Sequence, residues 1–231
     1  MAGRISYYGG IVKDGLVLDL DAGKRESFVS GSSSWNNLLP FGLTTTLYNT
    51  PEFSNGVLSF NDVNLEYGET ISNHPDYNVW SCDCWVKFNT SLAGKCTAVV
   101  CGEYDLSSKL NFSIGTNNFP TNSNIAVGFF NGAWRSTTGF VPQLSTWYNI
   151  VGTYDGSTIR QYVNGVASGG TLNYVGSPQS GGKIRIARRW DSALTSTNLL
   201  GGSVPIVKLY SRALTESEVL QNYNATKGRY L

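Results

Sequence analysis

The sequence predicts an all-β domain, a two-sheet antiparallel sandwich with one short C-terminal helix. Three observations carry this. Asn131-Gly132, Asp155-Gly156 and Asn164-Gly165 are dipeptides that accept the positive φ of tight hairpins, and each lies between short apolar-alternating runs. The composition holds 26 glycines and 13% aromatic residues but only 14% charged ones, which suits turn-rich sheets better than a helical bundle. Helix start signals stand together at one place, near the carboxy terminus.

In order along the chain, residues 1–14 precede the strand pattern and read as an N-terminal arm, with the domain proper at 15–231. Ile5, Tyr7, Tyr8 and Ile11 load the arm with apolar surface unusual for a solvated tail. It is expected either to contact a neighbour in an assembly or to lie as an extra strand on its own domain. Residues 15–23 form a short strand ending in a turn. Residues 24–37 are polar and Ser-rich, a surface loop tacked down by Trp35. Strands follow at 56–60, 65–67, 79–88, 97–101, 109–115, 125–130 and, across Asn131-Gly132, 134–137. In the meander 147–166, Ile159, Gln161 and Val163 alternate with Thr158, Arg160 and Tyr162. Residues 183–188 alternate charged and apolar side chains, leaving one face wet, and 203–210 closes the sheet. Neither a repeat nor a long linker divides the chain, so one domain is expected.

The helix begins at Thr215, which can cap the backbone while Glu218 reaches back in a capping box. Leu214 and Val219 stand at the positions of a hydrophobic staple. Lys227 falls in the last turn and Gly228 suits the stop. Val219, Leu220 and Tyr223 make a narrow apolar stripe for packing on the sandwich.

Composition also excludes functions. A formal net charge of +1 leaves no footprint for nucleic acid or an anionic membrane, and no apolar run approaches the ~18 residues of a membrane helix. The first residues lack the apolar core of a secretory signal, so synthesis in a cytoplasm is expected. Cys82 and Cys84 share one face of a strand, too close along it to bond each other, and Cys96 and Cys101 follow in the next. Their spacing is unusual for zinc, and buried thiols are expected. A Ser-His-Asp mechanism needs a histidine, and the one present, His74, sits in a turn-like Asn73-His-Pro-Asp-Tyr77. Gly169-Gly170 and Gly181-Gly182 follow no phosphate-loop pattern. Trp80, Trp85 and Trp147 are assigned to packing.

Two stretches are specific: Trp147 to Val166, with Thr153-Tyr-Asp-Gly-Ser157 and Tyr162-Val-Asn-Gly165, and Leu209-Tyr-Ser-Arg-Ala-Leu-Thr-Glu-Ser-Glu-Val-Leu-Gln-Asn-Tyr223. They resemble the laminin G-like members of the concanavalin A-like jelly-roll family, over roughly residues 15–226. The resemblance implies a jelly roll serving mostly as a binding or structural module, with some glycan hydrolases. Those hydrolases carry Glu-x-Asp-x-Glu on one strand face, which is absent here. Glu66 and Glu69, separated by a turn-forming Gly68, would not share a face, and Glu216 and Glu218 belong to the helix cap, so no enzyme is expected. Many members bind calcium through loop oxygens. Here the matching segments read Phe60-Asn-Asp-Val-Asn-Leu-Glu66 and Gly202-Ser-Val-Pro-Ile-Val207, which leaves Asp62 and Glu66 as calcium candidates.

Sugar binding would use exposed aromatics with polar neighbours, for which Trp134-Arg135 and Arg188, Trp190 and Asp191 are the candidates, with ordinary packing as the alternative. The combined pattern, through Asn222-Tyr-Asn-Ala-Thr-Lys-Gly-Arg229, is also similar to structural proteins of tailed bacteriophages. That implies a non-enzymatic virion component, either a capsid decoration protein or part of a fibre, with other virion proteins or copies of itself as partners. The alternative is a carbohydrate-binding adhesin that recognises host or environmental glycans, and the third reading is a glycan hydrolase.

Overall fold

The computed structural model describes residues 10–40, 42–75, 77–102, 109–116, 123–178, 182–189 and 194–231. Among these residues the first eight strands are β1 (Leu16–Asp21), β2 (Ser34–Trp35), β3 (Thr45–Tyr48), β4 (Glu52–Ser54), β5 (Val57–Phe60), β6 (Tyr67–Thr70), β7 (Trp80–Phe88) and β8 (Ala98–Gly102). The second eight are β9 (Lys109–Thr116), β10 (Ile125–Asn131), β11 (Trp134–Ser136), β12 (Trp147–Tyr154), β13 (Thr158–Val163), β14 (Val166–Asn173), β15 (Ile184–Ile186) and β16 (Gly202–Tyr210). Helix α1 (Glu216–Thr226) follows. One antiparallel sheet runs β14-β13-β12-β7-β16-β5-β4 with β1 also on β16, and the other runs β11-β10-β9-β8-β15-β6-β3-β2. No helix among the described residues is long and apolar enough to cross a membrane.

The core follows the period of two. Along β7, Trp80, Cys82, Cys84, Val86 and Phe88 face Val100, Phe112, Ile114, Ile125, Val127 and Phe129 of the second sheet, all fully buried. Burial pushes the Cys82 and Cys84 thiols well up. Cys96 and Cys101 belong to a separate apolar cluster with Ala98. Besides β7, β16 serves two strands: Gly202 and Ser203 pair with β5, and Ile206 to Tyr210 pair with β1. Its register against β7 shifts between Ser203 and Ile206, where Pro205 has no N–H for the ladder. The Pro205 carbonyl instead accepts the Ala22 N–H at 2.9 Å.

The expected elements are present, with instructive differences. Trp35 is fully buried, as a tack should be, but it does so from a short strand inside the supposed loop, and β3 and β4 have no counterpart in the sequence reading. The strand expected at 65–67 begins at Tyr67, because Leu65 sits at φ 58° in a turn. Gly68 is no turn residue: it lies in β6, where a Cβ would meet Thr45 and Leu47 side-chain carbons at 3.1 and 3.4 Å. The wet face expected for 183–188 is closed, since Arg185 and Arg188 are 5% and 7% exposed, with Glu69 opposite them.

Helix α1 carries the expected capping box: Glu218 N–H donates to Thr215 Oγ1 at 3.3 Å, and Thr215 N–H donates to Glu218 Oε2 at 2.8 Å. The apolar stripe is different from the one expected. Val219 is buried, but Leu220 is 44% exposed and the buried face continues with Asn222 and Thr226. The sheet beneath explains this, since it presents Asp83, Trp85 and the Tyr210 hydroxyl rather than hydrocarbon alone. Trp85 Nε1–H donates to Thr226 Oγ1 at 2.9 Å, and its ring packs on Tyr223 and Tyr230. Gly228 does not stop the helix through a left-handed turn. Lys227 keeps right-handed φ and ψ of −57° and −33°, and the chain tightens into a 3-10 turn over Lys227–Arg229.

The N-terminal segment lies on its own domain from residue 10 onward. Val12 N–H donates to Asn222 Oδ1 at 2.8 Å, the Tyr210 hydroxyl donates to Val12 O at 3.2 Å, and Gln221 Nε2 donates to Gly10 O at 2.8 Å. Ile11 is half-buried in that segment. Ile5, Tyr7 and Tyr8 lie outside the described residues.

Candidate functional site, a polar cleft at the end of the sandwich

The loop after β5 is built by its own side chains. Asn61 Oδ1 accepts the N–H groups of Val63 and Asn64 at 2.9 and 3.1 Å, an Asx turn. Glu66 reaches back: its Oε2 accepts Asn61 N–H at 2.7 Å and its Oε1 accepts Asn64 Nδ2 at 3.2 Å. Facing this loop is the turn after β7, held because Asn89 and Thr90 N–H both donate to Gly201 O, at 2.9 and 3.1 Å. Lys95 joins the two walls, donating to Asp62 and, at 3.0 Å, to Thr90 Oγ1. A Cβ at Gly201 would stand 2.4 Å from Thr90 Oγ1 and 2.5 Å from Asp62 Oδ1, so any side chain there would push these two groups aside. Between the walls lies a cleft of ≈ 310 Å³. Glu52, Asn64 and Asn89 line it as exposed side chains above the buried Asp62 and Glu66.

Asp62 and Glu66 were the calcium candidates, and the cleft brings both together. Their oxygens do not fit a cation. An ammonium occupies the Asp62 carboxylate, and amide donors take both oxygens of Glu66, whereas calcium needs six to eight oxygens with outward lone pairs. No group of three or more His, Cys, Asp or Glu side chains suited to a metal occurs among the described residues.

The sugar-binding candidates do not form one site. Trp134 stands opposite Phe130 on β10, edge to face at 5.8 Å, and is 42% exposed. Arg135 faces the other side of the same strand, with its guanidinium over Tyr174 at 4.3 Å, so the pair is split by the pleat. Arg188 covers Tyr67 at 4.5 Å, and Tyr67 in turn stacks on Tyr48. Trp190 and Asp191 lie outside the described residues. Glu69 sits beside Arg188 on that face. Burial pushes its carboxyl up, but Arg185 at 2.8 Å and Lys183 at 3.0 Å outweigh burial and hold it below the usual carboxylate range. His74 is buried, its Nδ1 2.7 Å from Pro75 O and its ring against Tyr77 and Phe112, so the turn-like segment also contributes packing.

Lys95, Asn89, Thr90 and Gly201 escaped the sequence reading. Nothing local marks them, because strand pairings more than a hundred residues apart bring Gly201 to Thr90. The segment from Phe60 to Glu66 was the one legible signal of the site.

A family model described as the concanavalin A-like lectin/glucanases superfamily matches residues 65–220. Trypanosoma rangeli sialidase in complex with sialic acid has a similar structure, with TM-score 0.69 at 17% identity, over 96% of this chain and 34% of that one. Domain 4 of AbnA, a GH43 extracellular arabinanase from Geobacillus stearothermophilus, in complex with arabinotriose, matches with TM-score 0.64 at 14% identity. That match covers 92% of this chain and 100% of the domain. This chain therefore spans about a third of the length of the sialidase. No curated protein matches in sequence. The matches overturn the expectation of a bacteriophage virion component. Structures of like fold include a sialidase and an arabinanase domain, and the motifs that suggested a virion protein report a sandwich that many functions use. With more than half its length matched by the family model and the two-sheet sandwich in place, the chain belongs to the concanavalin A-like lectin/glucanases superfamily.

Proposed function

We propose that this chain is a carbohydrate-binding module that holds a glycan in the polar cleft and performs no chemistry on it. The cleft itself carries this reading. Sugar hydroxyls both donate and accept, and the wall offers amides, carboxylates and hydroxyls from Glu52, Asn64, Asn89 and Thr90 above Asp62 and Glu66, with Asn64 held by Glu66 and Thr90 by Lys95. Its ≈ 310 Å³ stands at the small end of ligand pockets. The arabinotriose held by domain 4 of AbnA, a protein of like fold that the match covers over its whole length, agrees with it. The absence of chemistry is supported by the carboxylates. A retaining glycosidase needs two carboxyls about 5–5.5 Å apart, one of them kept protonated. Asp62 is instead paired with Lys95, Glu66 is consumed by its own loop, and Glu69 is held ionised.

The test is a glycan array followed by calorimetry on the best binder. Glu52→Ala and Asn89→Ala remove exposed lining side chains, so each should weaken binding by about tenfold, a loss of about 1.4 kcal/mol, without moving Tm. Binding that survives both changes and disappears in Trp134→Ala would move the site to the β10–β11 hairpin. Absence of any glycan ligand would overturn the function.

A further inference from the structure

A second cleft, of ≈ 410 Å³, opens on the outer face of the first sheet, between the N-terminal segment, β1, β16 and the end of α1. Its charged lining is four cations, Lys13, Lys24, Lys208 and Arg229, against two carboxylates, Asp19 and Asp21. Asp21 is spoken for, by Arg229 at 2.8 Å and the Gly23 N–H at 3.0 Å. The other floor residues are not satisfied. Lys208 is 3% exposed and stands in register between Asp19 of β1 and Asp83 of β7. Its ammonium nevertheless pairs with neither, finds no acceptor among the described residues, and lines the cleft. Asp19 is 1% exposed, and its Oδ2 has no hydrogen bond, with the Lys13 ammonium 3.7 Å away.

An ammonium without an acceptor at the floor of a cleft favours an anion there, and a buried carboxylate oxygen without a donor asks for a hydroxyl or N–H. One ligand chemistry answers both. We propose that this cleft binds a hydroxylated carboxylic acid of the sugar-acid class, a uronate, with its carboxylate on Lys208 and a ring hydroxyl donating to Asp19. Lys13 and Lys24 at the rim add attraction for the anion, and the volume accepts a sugar ring. None of these residues belongs to the first cleft, so the inference does not rest on the function proposed there.

Titrations of the whole chain with glucuronate, glucose and acetate, followed by amide NMR, separate the contributions. Glucuronate should bind saturably and shift amides of residues 10–13, 19–21 and 208. Glucose lacks the charge and acetate lacks the hydroxyls, so each should bind about tenfold more weakly or less. Lys208→Met should abolish the glucuronate shifts. If that variant does not fold, Lys24→Gln at the exposed rim should weaken glucuronate several-fold with Tm unchanged. Equal binding of acetate would make the cleft a general anion site, and equal binding of glucose would remove the role of Lys208. Failure of glucuronate to bind at millimolar concentration would leave Lys208 a hydrated structural lysine. Any of the three overturns the proposal.

Discussion

Replacing Asn222 by alanine should destabilise the domain far more than a surface helix substitution would. Its Oδ1 accepts the Val12 N–H at 2.8 Å, and its Nδ2 serves both Asp83 Oδ2 at 3.0 Å and the Tyr210 oxygen at 2.9 Å. Tyr210 passes its own proton to Val12 O at 3.2 Å, and the other Asp83 oxygen takes Asn149 Nδ2 at 2.7 Å. Asn222 thus fastens the helix, the N-terminal segment and two central strands through one amide, with every partner buried. Alanine leaves the Val12 N–H and one Asp83 oxygen without partners, at ~1–3 kcal/mol for each unsatisfied buried group. Its better helix propensity returns only ~0.5 kcal/mol. The expected loss is about 3 kcal/mol, read from urea unfolding followed by tryptophan fluorescence. A double-mutant cycle with Tyr210→Phe should show coupling of at least ~0.5 kcal/mol. A loss below about 1 kcal/mol, or strict additivity with Tyr210→Phe, would refute the idea that this amide is the fastening point.

Three other changes have worked outcomes. Gly152→Ala places a Cβ 2.2 Å from Val127 Cγ1 in the core, so it should cost about 1–3 kcal/mol in urea unfolding, and Val127→Ala in the same chain should recover part of it. Lys95→Met strands the buried Asp62 carboxylate and should cost about 3 kcal/mol at neutral pH, by the same assay. Glu218 is drawn down from 4.5 to about 2, chiefly by its hydrogen bonds from Arg212. A carboxylate depressed in the folded state adds stability above its unfolded pKa, and that stability fades as pH falls toward the folded value. The urea midpoint should therefore drop between about pH 5 and pH 2, and Glu218→Gln should flatten that part of the curve.

The fold was legible where local chemistry decides the backbone. Asn164 and Gly165 both take positive φ, 53° and 80°, the geometry an Asn-Gly hairpin turn demands. The Asp155 turn works differently: the carboxylate accepts the N–H groups of Ser157 and Thr158 at 2.9 and 2.8 Å, so aspartate is needed for its oxygens. The closing motif also has a physical content that periodicity alone misses. Arg212 grips Glu218 through two bonds of 2.9 and 2.6 Å, Thr215 caps, Ser81 Oγ bonds the Arg212 carbonyl, and Asn222 meets Tyr210. A helix read for apolar spacing suggests Leu220 as packing, whereas a polar sheet face selects Asn222 and Thr226. The cleft was half legible. Asp62 and Glu66 stand in a recognisable segment, but their partner Lys95 and the opposing Asn89, Thr90 and Gly201 are joined to them only through the pairing of β16 with β5 and β7. Arg185 and Arg188 misled for the same reason: alternation reports that two faces differ, and Glu69, brought across by β6, decides that the charged one is closed.

Amide chemical-shift mapping of the labelled chain with its best array glycan tests the central proposal most directly. Shifts concentrated at Asn61, Asn64, Asn89, Thr90 and Gly201, and lost in Glu52→Ala, are expected if the polar cleft holds the sugar. Shifts centred on Trp134 and Arg135, or none at saturating glycan, would contradict it.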